Sequence, residues 1–174
     1  MQRISIPNYE ELSVEAKKEW DKQVASHGRI TNMKKTLLHS LPSFRILMEW
    51  YDLRAEVLKF VGEMQFNLFA YAISSTNDCI ICSTFFRKIL KDNGINPDAK
   101  TLDEESALLI EYGKACVKNP SEVPESVFKR LKAKYTEEQI VLLTAFAGQM
   151  IATNLINNAL EVPLDEYLVA YTKR

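Results

Sequence analysis

The chain has 174 residues, a net charge of −1 and 47% apolar residues, which suits one globular domain, residues 1–174, with its own core. The near-neutral charge argues against nucleic acids or anionic membranes as partners, because proteins that bind them carry a clear basic excess. No apolar signal segment opens the chain, and its three cysteines do not suggest a disulfide framework, so we expect a cytoplasmic protein.

Helical periodicity runs through the sequence, and no segment alternates cleanly between apolar and polar residues, so we expect an all-α fold. Ser13 is a suitable N-cap for the first helix, Pro42 fits the first turn of another, and Gly62 marks a break. The stretch 140–152 is too short and too polar to cross a membrane and is interpreted as a buried core helix. The predicted helices are 14–26, 33–40, 42–61, 63–75, 79–93, 103–118, 125–134 and 139–160, with a short C-terminal helix.

Cys79 and Cys82 form a Cys-x-x-Cys pair at the predicted start of a helix. Two cysteines three apart in a first turn share one helix face, and the exposed amides and dipole there stabilise a thiolate. The like charge of Asp78 opposes this effect slightly. The pair therefore indicates a redox-active dithiol, and the alternative is structural packing of two buried cysteines.

Metal binding is another common use of this motif. Structural zinc usually takes four ligands, and the remaining soft ligands, Cys116, His27 and His39, are isolated in the sequence. We therefore expect neither a metal nor a cofactor. Cys116 is interpreted as a core residue, and His27, beside Gly28, as a helix terminus.

The sequence around the dithiol resembles the carboxymuconolactone decarboxylase and alkylhydroperoxidase D (AhpD) family. The core of that family carries Glu, eleven residues, Cys-x-x-Cys, three residues and His. The resemblance covers about residues 60–94, with weaker agreement elsewhere in a family core of about 42–160. It implies an AhpD-like helical bundle and a homo-oligomer, a trimer, hexamer or dimer. It also implies that Cys82 is the attacking thiolate and Cys79 the resolving thiol.

The positions of the family's proton relay differ in this chain. The expected Glu falls on Asn67 and the expected His on Phe86, and neither side chain accepts a proton near neutral pH. Glu63, one helical turn before Asn67, is the best substitute by spacing, although a solvated first-turn residue is the simpler interpretation. His39 is a second candidate base, although a packed or capping histidine is the simpler interpretation. If neither acts, the helix N-terminus must activate the thiol.

Aromatic residues cluster around the dithiol in the sequence. They suit core packing or, alternatively, the wall of an apolar pocket. They are Phe66, Phe69, Tyr71, Phe85 and Phe86.

The predicted helix 139–160 carries a polar stripe on an otherwise apolar element: Gln149, Thr153 and Asn157, with Asn154 beside them. Buried polar side chains need hydrogen-bond partners. These partners are other buried side chains, another subunit or a bound ligand.

The leading hypothesis is an AhpD-like thiol oxidoreductase that reduces an organic hydroperoxide or a disulfide and is reset by an external dithiol. The alternative is a non-catalytic helical oligomer that binds a small apolar ligand or a partner. A lactone decarboxylase comes third, because the lactone decarboxylases of the family do not depend on a cysteine pair.

Overall fold

The structure is a computed structural model that describes residues 2–99 and 101–173. Within these residues the chain forms helices and no strand, which confirms the all-α prediction. Three short 3-10 helices accompany the α-helices, at Tyr9–Glu11, Pro120–Glu122 and Glu166–Tyr171. The α-helices are α1 (Val14–His27), α2 (Asn32–Leu37), α3 (Leu41–Met48), α4 (Trp50–Val57), α5 (Glu63–Thr76), α6 (Ile80–Asp92), α7 (Glu104–Lys118), α8 (Glu125–Lys134) and α9 (Glu137–Ala159).

Most of the predicted helix ends lie close to the observed ones. The Ser13 hydroxyl accepts a hydrogen bond from the Ala16 amide at the start of α1, and Gly28, with φ of 72°, ends that helix. Gly62 is the N-cap of α5, and Cys79 is the N-cap of α6. Local capping chemistry was therefore sufficient to place these boundaries.

The predicted helix 42–61 is wrong, because the structure has two helices here, α3 and α4, with a turn at Glu49 between them and an end at Val57. A break leaves the last carbonyls of α3 without helical partners. The Gln149 side chain of α9 supplies a hydrogen-bond donor at this break, since its Nε2 donates to the carbonyls of Ile46 at 3.0 Å and Leu47 at 3.2 Å. A long-range hydrogen bond thus stabilises a break that local sequence does not signal.

Helix α5 is the centre of the bundle and packs against α6, α7 and α9. Its buried side chains Phe66 and Phe69 meet Phe146 of α9 at ring-centroid distances of 4.7 and 5.9 Å. The approach of α7 is close, because a Cβ added to Gly113 would lie 3.0 Å from side-chain carbons of Phe69 and Ile73. A glycine is therefore needed at this crossing.

Helix α9 is long and apolar enough, by length and composition, to cross a membrane. In the structure it instead packs against α4, α5, α7 and α8, with Leu143, Phe146 and Met150 fully buried. The expectation that the stretch at 140–152 is too short and too polar for a membrane span is therefore wrong by length and composition, whereas the interpretation as a core helix holds for one face of α9. Its outer face stays exposed, with Val141 at 66% and Leu155 at 63% of their maximal surface.

The N-terminal helices and the C-terminal segment cover one side of this bundle. A second small core joins α1, α2 and α3 through residues that include Ala16, Leu37 and Phe44. The 3-10 segment Glu166–Tyr171 packs against α6. These outer segments enclose the space next to the start of α6.

Candidate active site

A tight turn between α5 and α6 positions the dithiol. Asp78 has a positive φ of 50°, and the Cys79 amide donates to the Ser74 carbonyl at 3.0 Å. From α9, Asn158 Nδ2 donates to the Asn77 carbonyl at 3.0 Å and holds the turn. The chain therefore leaves α5 and re-enters a helix within three residues, with Cys79 at its N-cap.

Both cysteines of the pair are free thiols and buried, with 1% of Cys79 and 7% of Cys82 exposed. Cys82 lines a cavity that is partly open to solvent, and Cys79 does not. Cys116 is also free and buried, on α7, as predicted for a core residue. A molecule in the cavity would therefore meet the sulfur of Cys82 first.

Asn157 of α9 contacts both sulfurs. Its Nδ2 donates to Cys82 Sγ at 3.2 Å and to Cys79 Sγ at 3.6 Å, and the side chain is 3% exposed. Its Oδ1 has no hydrogen-bond partner among the described residues. An amide can serve either protonation state, because Nδ2 donates to a thiolate and, after a flip, Oδ1 accepts from a thiol.

The two thiols have different acidities. A hydrogen bond from the Cys82 thiol lowers the pKa of Cys79 to about 7, with smaller help from Asn157 and the amides of Ile81 and Cys82, although burial opposes the shift. Although Cys79 is the N-cap of α6, its side chain does not accept a capping hydrogen bond from the first turn of that helix. The same hydrogen bond, together with burial, raises the pKa of Cys82. The pair therefore carries one negative charge near neutral pH, mainly on Cys79.

The cavity next to the pair has a volume of about 400 Å³, within the range of small-molecule sites. Two groups of lining residues have different chemistry. The dithiol wall consists of Trp50, Ile81, Cys82, Phe85, Phe86 and Met150. The lysine wall consists of His27, Arg29, Lys34, Tyr51, Asp165 and Tyr167.

The dithiol wall is almost wholly apolar. Phe86 is 2% exposed and packs near Trp50, with ring centroids 6.5 Å apart. Trp50 satisfies its only polar group internally, because Nε1 donates to Met150 Sδ at 3.0 Å. The surface around Cys82 thus favours an apolar molecule.

None of the candidate bases contacts the dithiol. Glu63 is exposed and pairs with Arg54 at 2.9 Å, so its simpler interpretation as a solvated first-turn residue is the correct one. His39 is also exposed, with Nε2 2.8 Å from the Ser5 carbonyl. Asn67 is buried on α5 but does not line the cavity, whereas Phe86 does.

The aromatic cluster fits both of its interpretations. Phe66, Phe69, Tyr71 and Phe86 all belong to the core, and Phe85 packs against it. The Tyr71 hydroxyl also donates to Asp98 Oδ1 at 3.3 Å. Core packing is thus correct for the cluster, and Phe85 and Phe86 also form part of a pocket wall.

The sequence analysis missed the lysine wall, whose members except Tyr51 lie outside the predicted family core at 42–160. His27 does end α1, but its ring also packs on Tyr51 at 4.8 Å and lines the cavity. It also missed Asn157 as the partner of the thiols, although the polar stripe of α9 was the available signal. No group of three or more His, Cys, Asp or Glu suited to a metal ion occurs in residues 2–99 and 101–173.

No protein-family profile matches the sequence, and no curated protein matches it significantly. Solved structures do match. An uncharacterized peroxidase-related protein with an alkylhydroperoxidase AhpD core, from Ralstonia eutropha JMP134, superposes with a TM-score of 0.77 at 20% identity, covering 96% of this chain and 94% of that one.

The fold is AhpD-like. An uncharacterized peroxidase-related protein from Silicibacter sp. TM1040 gives a TM-score of 0.77 at 16% identity, over 96% of this chain and 93% of that one. The debrominase Bmp8 gives 0.70 at 16% identity, over 91% and 90%. The AhpD-like fold predicted from residues 60–94 is thus confirmed along nearly the whole chain, and at these identities the comparison concerns the fold alone.

Proposed function

We propose that this protein is a thiol oxidoreductase that reduces organic hydroperoxides through Cys79 and Cys82. The carrying observation is the position of Cys82, which lines an apolar-walled cavity while Asn157 donates to both sulfurs of the pair. The AhpD-like fold and the peroxidase-related neighbours support the same chemistry.

The hydrogen-bonded pair supplies the base that the sequence lacks. Cys79 carries the negative charge, and Cys82 keeps the proton of the shared hydrogen bond. As the Cys82 sulfur attacks, its proton passes to the Cys79 thiolate, which acts as general base. A relay through Glu and His is then unnecessary, which accounts for Asn67 and Phe86 at those positions.

The reaction follows in two steps. The Cys82 sulfur attacks the terminal oxygen of the hydroperoxide, the O–O bond breaks, and the alkoxide leaves as the alcohol with the proton that Cys79 took from Cys82. The restored Cys79 thiolate then attacks the sulfur of the sulfenic acid, hydroxide leaves and takes a proton from solvent to become water, and a Cys79–Cys82 disulfide forms. Two thiols have been oxidised and one hydroperoxide reduced. An external dithiol restores the pair by exchange.

A stoichiometric titration tests the proposal. One equivalent of tert-butyl hydroperoxide should remove two free thiols per chain, and mass spectrometry should find a Cys79–Cys82 disulfide. The Cys116→Ser variant, altered only in a cysteine of the α7 core, should lose the same two thiols. No disulfide after complete consumption of the peroxide would overturn the proposal.

The cavity also favours a second candidate function, non-catalytic binding of a small apolar ligand. Fold alone does not decide between them, since one AhpD-like neighbour is a debrominase. If Cys82→Ser leaves function in the native cell unchanged, ligand binding becomes the better explanation. A lactone decarboxylase would likewise leave the dithiol without a role.

We also propose that the protein is a cytoplasmic homo-oligomer, a trimer, hexamer or dimer, as the resemblance implies. The exposed apolar face of α9, including Val141 and Leu155, supports self-association. Light scattering of the eluting protein measures the assembly. A Leu155→Glu variant should then dissociate it, and a monomer at micromolar concentration would overturn this proposal.

A further inference from the structure

The lysine wall holds a buried cation that the proposed reaction does not use. Lys34 of α2 is 7% exposed, and its Nζ donates to Gln23 Oε1 at 2.5 Å and to the Tyr51 hydroxyl at 2.6 Å. Both acceptors are neutral. An ammonium has three N–H groups, and the third finds no acceptor among the described residues.

No carboxylate compensates this charge. Within residues 2–99 and 101–173, Lys34 forms no ion pair. Asp165 lines the same cavity without pairing with Lys34: its Oδ1 accepts the Asn32 amide at 2.9 Å, and its buried Oδ2 has no hydrogen-bond partner among the described residues. Burial lowers the pKa of Lys34 to about 8, so most of the population is still charged at pH 7. An unpaired buried ammonium is costly and needs a partner.

Other groups in the cavity add positive charge. The Arg29 guanidinium stacks on the Tyr167 ring at 4.3 Å. His27 stays neutral near pH 7, because burial and the nearby Lys34 lower its pKa. Asp165 is the only carboxylate that lines the cavity within the described part of the chain. The electrostatic field at the lysine wall is therefore positive.

We propose that the cavity binds an amphipathic organic carboxylate, with its anionic head at Lys34 and its apolar body along the dithiol wall. The Tyr51 hydroxyl accepts from Lys34, so its own proton is free to be donated. The third N–H of Lys34 and the O–H of Tyr51 then provide two donors for the two carboxylate oxygens. This inference rests on the proposed function and gives its substrate class: hydroperoxides that carry a carboxylate.

Calorimetry with octanoate and octanol at pH 7 tests the binding, because the two probes share a chain and differ in the head. The wild-type protein should bind octanoate at least tenfold more tightly than octanol. Lys34→Gln should remove that preference. The matched control is Lys35→Gln, which removes the next lysine; Lys35 lies over the Trp20 ring and does not line the cavity.

A second variant keeps the test valid if Lys34→Gln does not fold, as judged by circular dichroism. Tyr51→Phe removes one hydrogen-bond donor. It should lower the affinity for octanoate several-fold and leave the affinity for octanol unchanged. Equal affinity of the wild-type protein for both probes, or an unchanged preference in Lys34→Gln, would overturn the inference.

The two proposals fail in different ways. Octanoate binding involves no redox step, so it is measured on the reduced wild-type protein without any hydroperoxide present. Selective binding without disulfide formation would overturn the peroxidase proposal and leave the anion site standing. Reduction of tert-butyl hydroperoxide without a preference for octanoate would overturn the anion site alone.

Discussion

The dithiol wall and the lysine wall enclose the same cavity but are built differently. The dithiol wall comes from helices α4, α6 and α9 of the bundle, and the indole nitrogen of Trp50 is satisfied within the protein by Met150. The lysine wall comes from α1 and α2 with the link between them, from α4 and from the C-terminal segment, and it keeps a charge without a counter-ion, Lys34. The first wall is suited to chemistry and the second to recognition.

This division has a consequence for experiments. Changes at the dithiol wall should alter the rate of thiol chemistry, whereas changes at the lysine wall should alter binding and the pH dependence of stability. Variants that moved both properties together would show that the two walls do not act separately.

The largest effect is expected from Cys82→Ser, which should abolish hydroperoxide reduction because no attacking sulfur remains in the cavity. Cys79→Ser removes both the general base and the resolving thiol, so Cys82 should react much more slowly and only once, stopping at its sulfenic acid. A sulfenic-acid trapping reagent with mass spectrometry distinguishes the two variants. The assignment of roles is wrong if trapping labels Cys79 in the Cys82→Ser variant.

The sequence predicted the α6 part of the dithiol wall but neither its Trp50 and Met150 nor the lysine wall, and the reason is physical. Cys82 and Phe86 lie within one helix, where spacing alone places side chains on a shared face. Lys34 and Asp165 line one cavity although they lie far apart in the chain. A lysine in a short helix has no local pattern that distinguishes a buried position from a solvated one.

The break at Glu49 illustrates the same limit. The carbonyls that it frees are satisfied by Gln149, about 100 residues later in the chain. Asn157 is the intermediate case. Its place in a polar stripe predicted a partner, but the identity of that partner, a pair of sulfurs, required the packing of α9 against the start of α6.

A moderate effect is expected from Asn157→Ala. A hydrogen bond to a charged group contributes about 1.5–3 kcal/mol, so losing the amide donor should raise the pKa of the thiols by about 1 unit. Iodoacetamide labelling of the wild type should rise with pH through a midpoint near 7, the pKa of Cys79. In the variant, labelling at pH 7 should be roughly fivefold slower, because the thiolate fraction at that pH falls from about one half to about one tenth.

Asn158→Ala is the matched control for that substitution. Asn158 is the next residue of α9, and its amide donates to the Asn77 carbonyl outside the dithiol. Its labelling profile should keep the wild-type midpoint. If Asn157→Ala also keeps it, the amide does not stabilise the thiolate, and activation would rest on the helix N-terminus and the Cys82 thiol.

The smallest effect concerns stability and belongs to the lysine wall. The pKa of Lys34 is about 8 in the folded protein and about 10.4 in an unfolded chain, so the unfolded state binds more protons between these two pH values. The free energy of unfolding should therefore rise with pH, by about 2 kcal/mol between pH 7.5 and 9.5 relative to Lys34→Met, which does not titrate. The measurement is urea unfolding of the wild type and of Lys34→Met at several pH values. The difference between their free energies of unfolding removes the contribution of the cysteines, which titrate in both proteins. Octanoate should reduce that pH dependence by keeping Lys34 charged, whereas a flat difference curve would mean that Lys34 is not desolvated in solution.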